Sequence, residues 1–455
     1  MFIFYDFETS SRSLLGQILS YAFVVVDSNY SVCDHLVGTI ALNRTQLPDI
    51  GAILTNRIYL EEHQSQSPSE KVSAERIYAF LDRWTSRSVC TLVGYNSNQF
   101  DLNFLRNLLI RYGYNPYYYG RLKNKDLLHY SRHLALNYPD QFQWELGVNR
   151  QNAPYWMFTL ESMAMRYGVL SDKQTHDALA DVHVCLDLIS VLESEFPCET
   201  LTGFQPFSTS SSSVGQLVQS RVVGNPPMRC QDRIFYVVAM DRRAVIISDL
   251  DRYKPNDGLS EMTNYGLRYQ NPNKHYLQLA PIQSAPESYQ NSYLSIQKNP
   301  TIQSLSVDTY LASLNNDWDI EHRIYAMGFE RITQLHQLIQ TVDKTPTAHT
   351  ALVNDLMQEP SDKNLQLVQL FNRYYLNYAS EVPESYFKRY LIPRYITGEY
   401  ERDLEGFQAF PLRYAELLEH LKQPNPDDIE ILHDLKAYYD CFKERYPYLT
   451  QTTTK

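Results

Sequence analysis

Residues 1–9 read Met1-Phe2-Ile3-Phe4-Tyr5-Asp6-Phe7-Glu8-Thr9 (MFIFYDFET), a short apolar run that ends in acidic residues. An aromatic and β-branched run of this length predicts a buried strand. Alternate residues of a strand share a face, so Asp6 and Glu8 point together into one site while Phe7 packs behind them. A second strand is predicted at Ile18–Val26 (ILSYAFVVV). Leu102, Leu105, Leu109 and Tyr112 recur at helical spacing, as do Leu179, Val182, Leu186 and Ile189. Strands and helices mixed in this order indicate an α/β layer fold for residues 1 to about 195.

The rest of the chain differs. Ser208–Ser213 (STSSSS) is a low-complexity stretch that reads as a linker or exposed loop. From about residue 215 to 318, short strand-like pieces such as Arg233–Val238 and Ala244–Ser248 are separated by Pro, Asn, Asp and Gly, which predicts a small all-β or mixed domain. Beyond about residue 319 helical periodicity dominates. The best examples are Leu412–Leu421, with Pro411 as its start signal, and Ile429–Tyr439. Three domains are expected, at 1–198, 199–318 and 319–455. There is no internal repeat.

Composition restricts the function classes. The net charge is −11, whereas a protein that merely coats nucleic acid is usually basic, so any polynucleotide must be held by a local patch. An acidic balance suits a site built of carboxylates that hold divalent cations. The 36 tyrosines and 19 phenylalanines exceed what core packing alone suggests, and some of them are candidate stacking surfaces for bases. Six scattered cysteines lack CxxC spacing, which disfavours structural zinc and disulfides and fits a reducing cytoplasm. The chain carries no signal peptide pattern and no apolar stretch near the ~20 residues that span a bilayer, so a soluble cytoplasmic protein without membrane contact is expected.

Four segments carry the chemistry. An Asp-x-Glu pair alone arises about once by chance in so acidic a chain. Gly94–Asp101 (GYNSNQFD) is a polar loop that delivers Asp101 to the start of a helix, where an Asp also serves as a cap. His176-Asp177-Ala178-Leu179-Ala180-Asp181 opens the last helix of the region, so that His176 leans over the site into which Asp181 projects. Phe158-Thr159-Leu160-Glu161 looks like a helix start. Together, Asp6, Glu8, Asp101 and Asp181, with His176 five residues before the last, form the DEDDh pattern of 3′→5′ exonucleases.

The resemblance extends further. FIFYDFET, GYNSNQFDLNFLRN, NPYYYG, KDLLHYSRHLAL, FTLESMAMRYGV and HDALADV resemble segments of the bacterial exodeoxyribonuclease I family. Similarity is strong over roughly residues 1–190 and faint beyond, where SYFKRYLIPRYITGEY is the familiar run. The resemblance implies an RNase H-like exonuclease domain with a mixed sheet and flanking helices, then an SH3-like domain, then a helical domain. It implies degradation of single-stranded DNA from a free 3′ end to 5′-mononucleotides, in DNA repair or recombination. Two Mg²⁺ ions, for which Mn²⁺ can substitute, are the implied cofactors. Asp6, Glu8 and Asp181 would hold one ion, Asp6 would touch the second, and Asp101 would support it. Oxygen ligands suit so hard a cation. His176, with an ordinary pKa near 6.5, would act as general base.

Between residues 102 and 135 lie Arg106, Arg111, Arg121, Lys123, Lys125 and Arg132 with a single acid, Asp126, and six interleaved tyrosines. Phosphate neutralisation plus base stacking holds single strands without sequence preference. The resemblance assigns strand contacts to Arg106, Tyr117 and Arg132, and to Glu8 at the terminal nucleotide. Thr159 stands where the family carries a substrate-binding arginine, which alters the grip on that nucleotide. The family also associates with the single-strand DNA-binding protein, for which Arg221, Arg229, Arg233, Arg242 and Arg243 are candidate contacts. A monomer is expected. The alternatives are a DEDDh exoribonuclease acting on RNA or short oligonucleotides, a catalytically inactive binding module, and a proofreading subunit. The long chain beyond the nuclease region disfavours the first, and the complete set of five residues disfavours the second.

Overall fold

The opening run forms the central strand of a mixed five-stranded sheet in the computed structural model, which describes residues 1–171, 177–209, 212–254, 265–272, 274–313, 329–397, 407, 409–420 and 426–450. Strand β1 (Phe2–Thr9) pairs antiparallel with β2 (Ile18–Val26), which pairs with β3 (Val32–Thr39). Three helices follow: α1 (Ile50–Asn56), α2 (Leu60–Gln66) and α3 (Glu70–Thr85). On its other side β1 runs parallel to β4 (Cys90–Gly94), and β4 runs parallel to β5 (Leu122–Asp126). Parallel neighbours need a crossover, here supplied by α4 (Asp101–Arg111). The region ends with α5 (Leu127–Asn137), a short hairpin of β6 (Leu146–Val148) and β7 (Pro154–Trp156), α6 (Leu160–Arg166) and α7 (Ala178–Glu195).

Strand alternation divides β1 between two cores. Ile3, Tyr5 and Phe7 join Leu105, Leu108 and Leu109 of α4 on one face. Phe2 and Phe4 join Val182, Cys185 and Ile189 of α7 on the other. The expected α/β layering is present, and both predicted strands and both predicted helices fall where the periodicity placed them.

A second sheet follows: β9 (Leu217–Val223), β10 (Cys230–Met240), β11 (Val245–Asp249), β12 (Leu267–Gln270) and β14 (Ala280–Pro281), antiparallel in the order β12-β11-β10-β9-β14. A small pair of β8 (Phe207–Ser208) and β13 (Leu277–Gln278) stands beside it. Helices α8 (Gln290–Lys298), α9 (Pro300–Gln303) and α10 (Val307–Ser313) cover one face with Ile296, Ile302 and Val307, so the region is mixed. The Ser-rich stretch is not simply an exposed linker. Ser208 pairs in β8 and Ser212 is buried, while residues 210–211 lie outside the described residues.

The remaining described residues are helical: α11 (Phe329–Lys344), α12 (His349–Met357), α13 (Asp362–Tyr378), α14 (Glu384–Ile392), a π-turn at Pro393–Thr397, α15 (Phe410–His420) and α16 (Pro426–Arg445). They pack directly onto the first region. Leu335, Ile339, Leu367 and Phe371 belong to the same cluster as Leu108 and Leu109. Ile50, Ile53 and Leu60 share another with Tyr395, Leu432 and Tyr439. A buried polar network crosses the first of these contacts. Arg111 pairs with Glu70 at 2.8 Å, Tyr112 donates to Glu70 at 2.8 Å, and the Tyr112 and Tyr378 hydroxyls meet at 2.7 Å.

Candidate active site

β1 outlasts β4, and the site is built in the gap this leaves. The pairing of β1 with β4 covers only Phe2 to Phe4, so the strand continues beyond its parallel neighbour. Asp6 and Glu8 sit on that overhang, on the face covered by α7. The helix supplies Asp181 one turn from its start, on the stripe that continues through Val182, Cys185 and Ile189 into the core. Carboxylate oxygens of Asp6, Glu8 and Asp181 all lie within 4.8 Å of one another. Asp177 caps α7 by accepting the Ala180 N–H at 2.9 Å, and the positive end of the helix faces the acidic group.

The loop after β4 supplies the fourth acid. Asp101 opens α4 and is 4% exposed, and its carboxylate accepts the backbone N–H groups of Asp101 and Phe7. Its Oδ1 is buried with no hydrogen-bond partner. Sequence reading did not assign the residue that holds this loop. Asp126, at the end of β5 and fully buried, accepts from Asn96 N–H at 2.8 Å, Asn98 N–H at 3.0 Å and Leu128 N–H at 2.9 Å. It therefore fixes the loop and caps α5 at once. An Asp followed by a helical run is a capping signal, but nothing in the sequence says that it also reaches back 30 residues.

The electrostatics are those of a cation site. Burial, then the charges of Asp101 and Asp181, push the Asp6 carboxyl well above its usual range. Burial, then Asp181 and Asp101, push Glu8 up to about 8. Burial, with Asp126 and Asp181 adding to it, pushes Asp101 to about 8 against its backbone hydrogen bonds. Like charges this close cannot all ionise without a counter-charge. Four oxygen-bearing acids, one with an orphaned buried oxygen, fit a hard divalent cation. His176 lies outside the described residues.

The expected strand contacts divide. Arg106 stands over the Tyr117 ring, 5.1 Å from its centroid, and Arg132 over Phe158 at 5.9 Å. Thr159 is exposed and caps α6 through the Ser162 N–H, so this segment is a helix start. Much of the remaining basic, tyrosine-rich stretch is structural, contrary to its reading as one binding patch. Arg111 is bound to Glu70, Lys125 donates to the Leu201 and Thr202 carbonyls, and Tyr112, Tyr118 and Tyr130 are buried. A run of cations and aromatics does not reveal which of them point inward. Of the five arginines considered for a protein partner, Arg221, Arg229, Arg233 and Arg243 each carry an acidic partner in the fold.

A groove of about 480 Å³ is lined in part by Asn96 and Gln99, which belong to the loop that carries Asp101. One wall carries Asn96, Gln99, His129, Arg132, Trp156 and Phe158. The other comes from the second sheet and its neighbours, with Arg221, Phe235, Arg268, His275 and Tyr276. Gln99 bridges the two by donating to the Lys274 carbonyl at 2.7 Å. No acidic side chain lines the groove among the described residues, in a chain of net charge −11. The second wall was missed from sequence because its residues follow no motif and lie roughly a hundred positions from the first.

Comparison with known proteins follows the same lines. No protein-family model matches the chain. Exodeoxyribonuclease I of Escherichia coli strain K12 is 27% identical over 201 residues, which are 43% of this chain and 40% of that protein. Exodeoxyribonuclease I of Buchnera aphidicola subsp. Schizaphis graminum is 25% identical over the same length and shares. The sequence match thus spans about two fifths of the relatives' own length. The fold match is wider. E. coli Exonuclease I in complex with a dT13 oligonucleotide superposes with a TM-score of 0.70 at 18% identity, covering 97% of this chain and 99% of that one. The moderately thermophilic Exonuclease I from Methylocaldum szegediense gives 0.68 at 17% identity, with the same coverage. A further neighbour, with a TM-score of 0.67, is an ExoI/SSB-Ct complex. The chain is therefore similar in sequence to exodeoxyribonuclease I and carries the Exonuclease I fold over nearly its whole length.

Proposed function

We propose that this chain is a metal-dependent 3′→5′ exonuclease that degrades single-stranded DNA to 5′-mononucleotides in DNA repair or recombination. The observation that carries the reading is the meeting of Asp6, Glu8 and Asp181 within 4.8 Å, beside buried Asp101. Asp6, Glu8 and Asp181 would hold one Mg²⁺, with Asp6 and Asp101 serving a second. When bound there, divalent ions neutralise charge on the scissile phosphate and ease deprotonation of the attacking water. The chain's own residues do the rest. Asp126 keeps the loop of Asp101 in place, and Asp177 fixes the first turn of α7 that bears Asp181. His176 accepts the proton of the attacking water as its oxygen bonds to phosphorus. The P–O3′ bond breaks, and the freed oxygen takes up a proton from solvent to become the new 3′ hydroxyl.

The lack of acids among the described residues that line the groove supports a polyanionic strand as the substrate, because phosphates set the affinity of such complexes. Arg106, Tyr117 and Arg132 would contact the strand, with Glu8 and Thr159 at its terminal nucleotide. Residues 199–318 would form the SH3-like domain and 319–455 the helical domain. Single-strand DNA-binding protein is a proposed partner, by analogy with the ExoI/SSB-Ct complex. Among the described residues no helix is long and apolar enough to cross a membrane. A cytoplasmic monomer is proposed.

The test is incubation with 3′- and 5′-labelled single-stranded DNA, with and without Mg²⁺. Mononucleotides should leave the 3′ end only when Mg²⁺ is present, and faster than from single-stranded RNA. Release from the 5′ end, or release in chelator, refutes the reading. His176→Ala should lower turnover about 10²–10⁴-fold with DNA binding nearly intact. A variant that hydrolyses at the wild-type rate removes His176 from its role.

A further inference from the structure

The groove contains a group that the hydrolytic reading does not use. His129 lies in the first turn of α5, is 3% exposed, and is one of the residues that line the cavity. Its Nδ1 is buried with no hydrogen-bond partner. Leaving a buried polar atom unmet costs about 1–3 kcal/mol, so such an atom calls for an explanation. Burial first, then the charges of Arg132 and His275, hold the imidazole down to about 3. It therefore meets a ligand as a neutral ring with one donor and one acceptor nitrogen.

Its surroundings narrow the ligand. Trp156, Phe158 and Tyr276 supply flat apolar faces in the same cavity, while Arg132, Arg221 and Arg268 supply positive charge. Arg268 is held by buried Asp249, and Arg132 stands over Phe158, so both cations are positioned in advance. Flat faces, fixed cations and a neutral donor–acceptor edge together describe a nucleotide: a base to stack, a phosphate to neutralise, and a base edge to read. Single-strand recognition uses these elements, and edge-on hydrogen bonds add base selectivity to stacking. The groove is linked to the catalytic group through the loop that carries Asp101, since Asn96 and Gln99 line it and Tyr95 of that loop donates to the Phe158 carbonyl at 2.7 Å.

We infer that this groove seats one unstacked nucleobase of the bound strand, upstream of the cleaved bond, with its edge against His129. The enzyme would thereby favour some bases over others at that one position. The inference rests on the nuclease reading and adds a base-reading subsite to it. It is tested by binding of labelled 16-mers to the full-length protein in EDTA, where no strand is degraded. A single abasic nucleotide is moved along the strand, and homopolymers of dT, dA and dC are compared. Loss of one seated base should weaken binding about tenfold at a single position and little elsewhere. His129→Leu should abolish the differences among homopolymers while keeping overall affinity within a few-fold. A flat abasic scan of the wild-type protein overturns the subsite without need of any variant. Homopolymer differences that persist in a folded His129→Leu protein overturn the role of His129. Failure of every 16-mer to bind would instead overturn the nucleic-acid reading itself.

Discussion

Glu8 and Asp101 show how a single side chain acquires its role from its surroundings. Each is an ordinary carboxylic acid in sequence, and each is pushed up to about 8 by burial and by its acidic neighbours. A carboxyl whose folded pKa exceeds its unfolded value binds more protons when folded across the interval between the two. Its contribution to stability is complete below the unfolded value, near 4, and is lost as pH rises through about 8. The metal-free protein should therefore melt at a lower temperature at pH 8.5 than at pH 6. Added Mg²⁺ should recover most of the loss at the higher pH and add little at the lower, because it supplies the missing positive charge. Thermal melts in EDTA and in Mg²⁺ at the two pH values measure this directly. An EDTA melting temperature that is level across the interval would count against mutual repulsion at the site. Asp101→Asn should flatten the dependence, since it removes one of the acids that raise Asp6 and Glu8.

At the scale of elements, the sequence is legible where chemistry and periodicity coincide, and silent where contacts are long-range. Asp6 and Glu8 were placed on one face because a strand alternates, and Asp101 and Asp181 because each opens a run with helical spacing. The loop-holding role of Asp126 was not legible, since a cap looks the same whether or not it also binds a distant loop. Nor did the basic run from α4 to α5 disclose that Arg111 turns inward to Glu70 while Arg106 stays over Tyr117. This sorting yields a prediction. Reversing the charge of Arg106 and Arg132 together should weaken single-strand binding and make its salt dependence shallower by about 1.4, at roughly 0.7 per phosphate contact. Arg111→Gln should act differently, lowering stability by leaving Glu70 buried without its cation. Affinity measured from low to moderate salt separates the two. An unchanged slope in the double reversal would remove this pair from the strand path.

The whole molecule is held by cores that ignore the order of the chain. The helical tail was legible as helices, because an amphipathic period can be read from any stretch alone. Its partner was not, since apolar stripes carry no address. Phe371 of α13 and Leu335 of α11 are fully buried in the cluster that contains Leu105, Leu108 and Leu109 of α4, the helix that begins at Asp101. If that cluster is one cooperative unit, damage in the tail must reach the site. Phe371→Ala should cost about 3–5 kcal/mol, a large part of the 5–15 kcal/mol that usually separates folded from unfolded domains. Amide exchange in α4 should accelerate along with exchange in α13, and nuclease activity should fall at the temperature where the tail melts. Were the tail an independent domain, the variant would unfold in two steps, with α4 protection and activity both surviving the first. Hydrogen exchange resolved to individual helices distinguishes these outcomes. Only coupled loss is compatible with an active site whose fourth acid stands on a helix packed from below by residues 230–270 positions further along the chain.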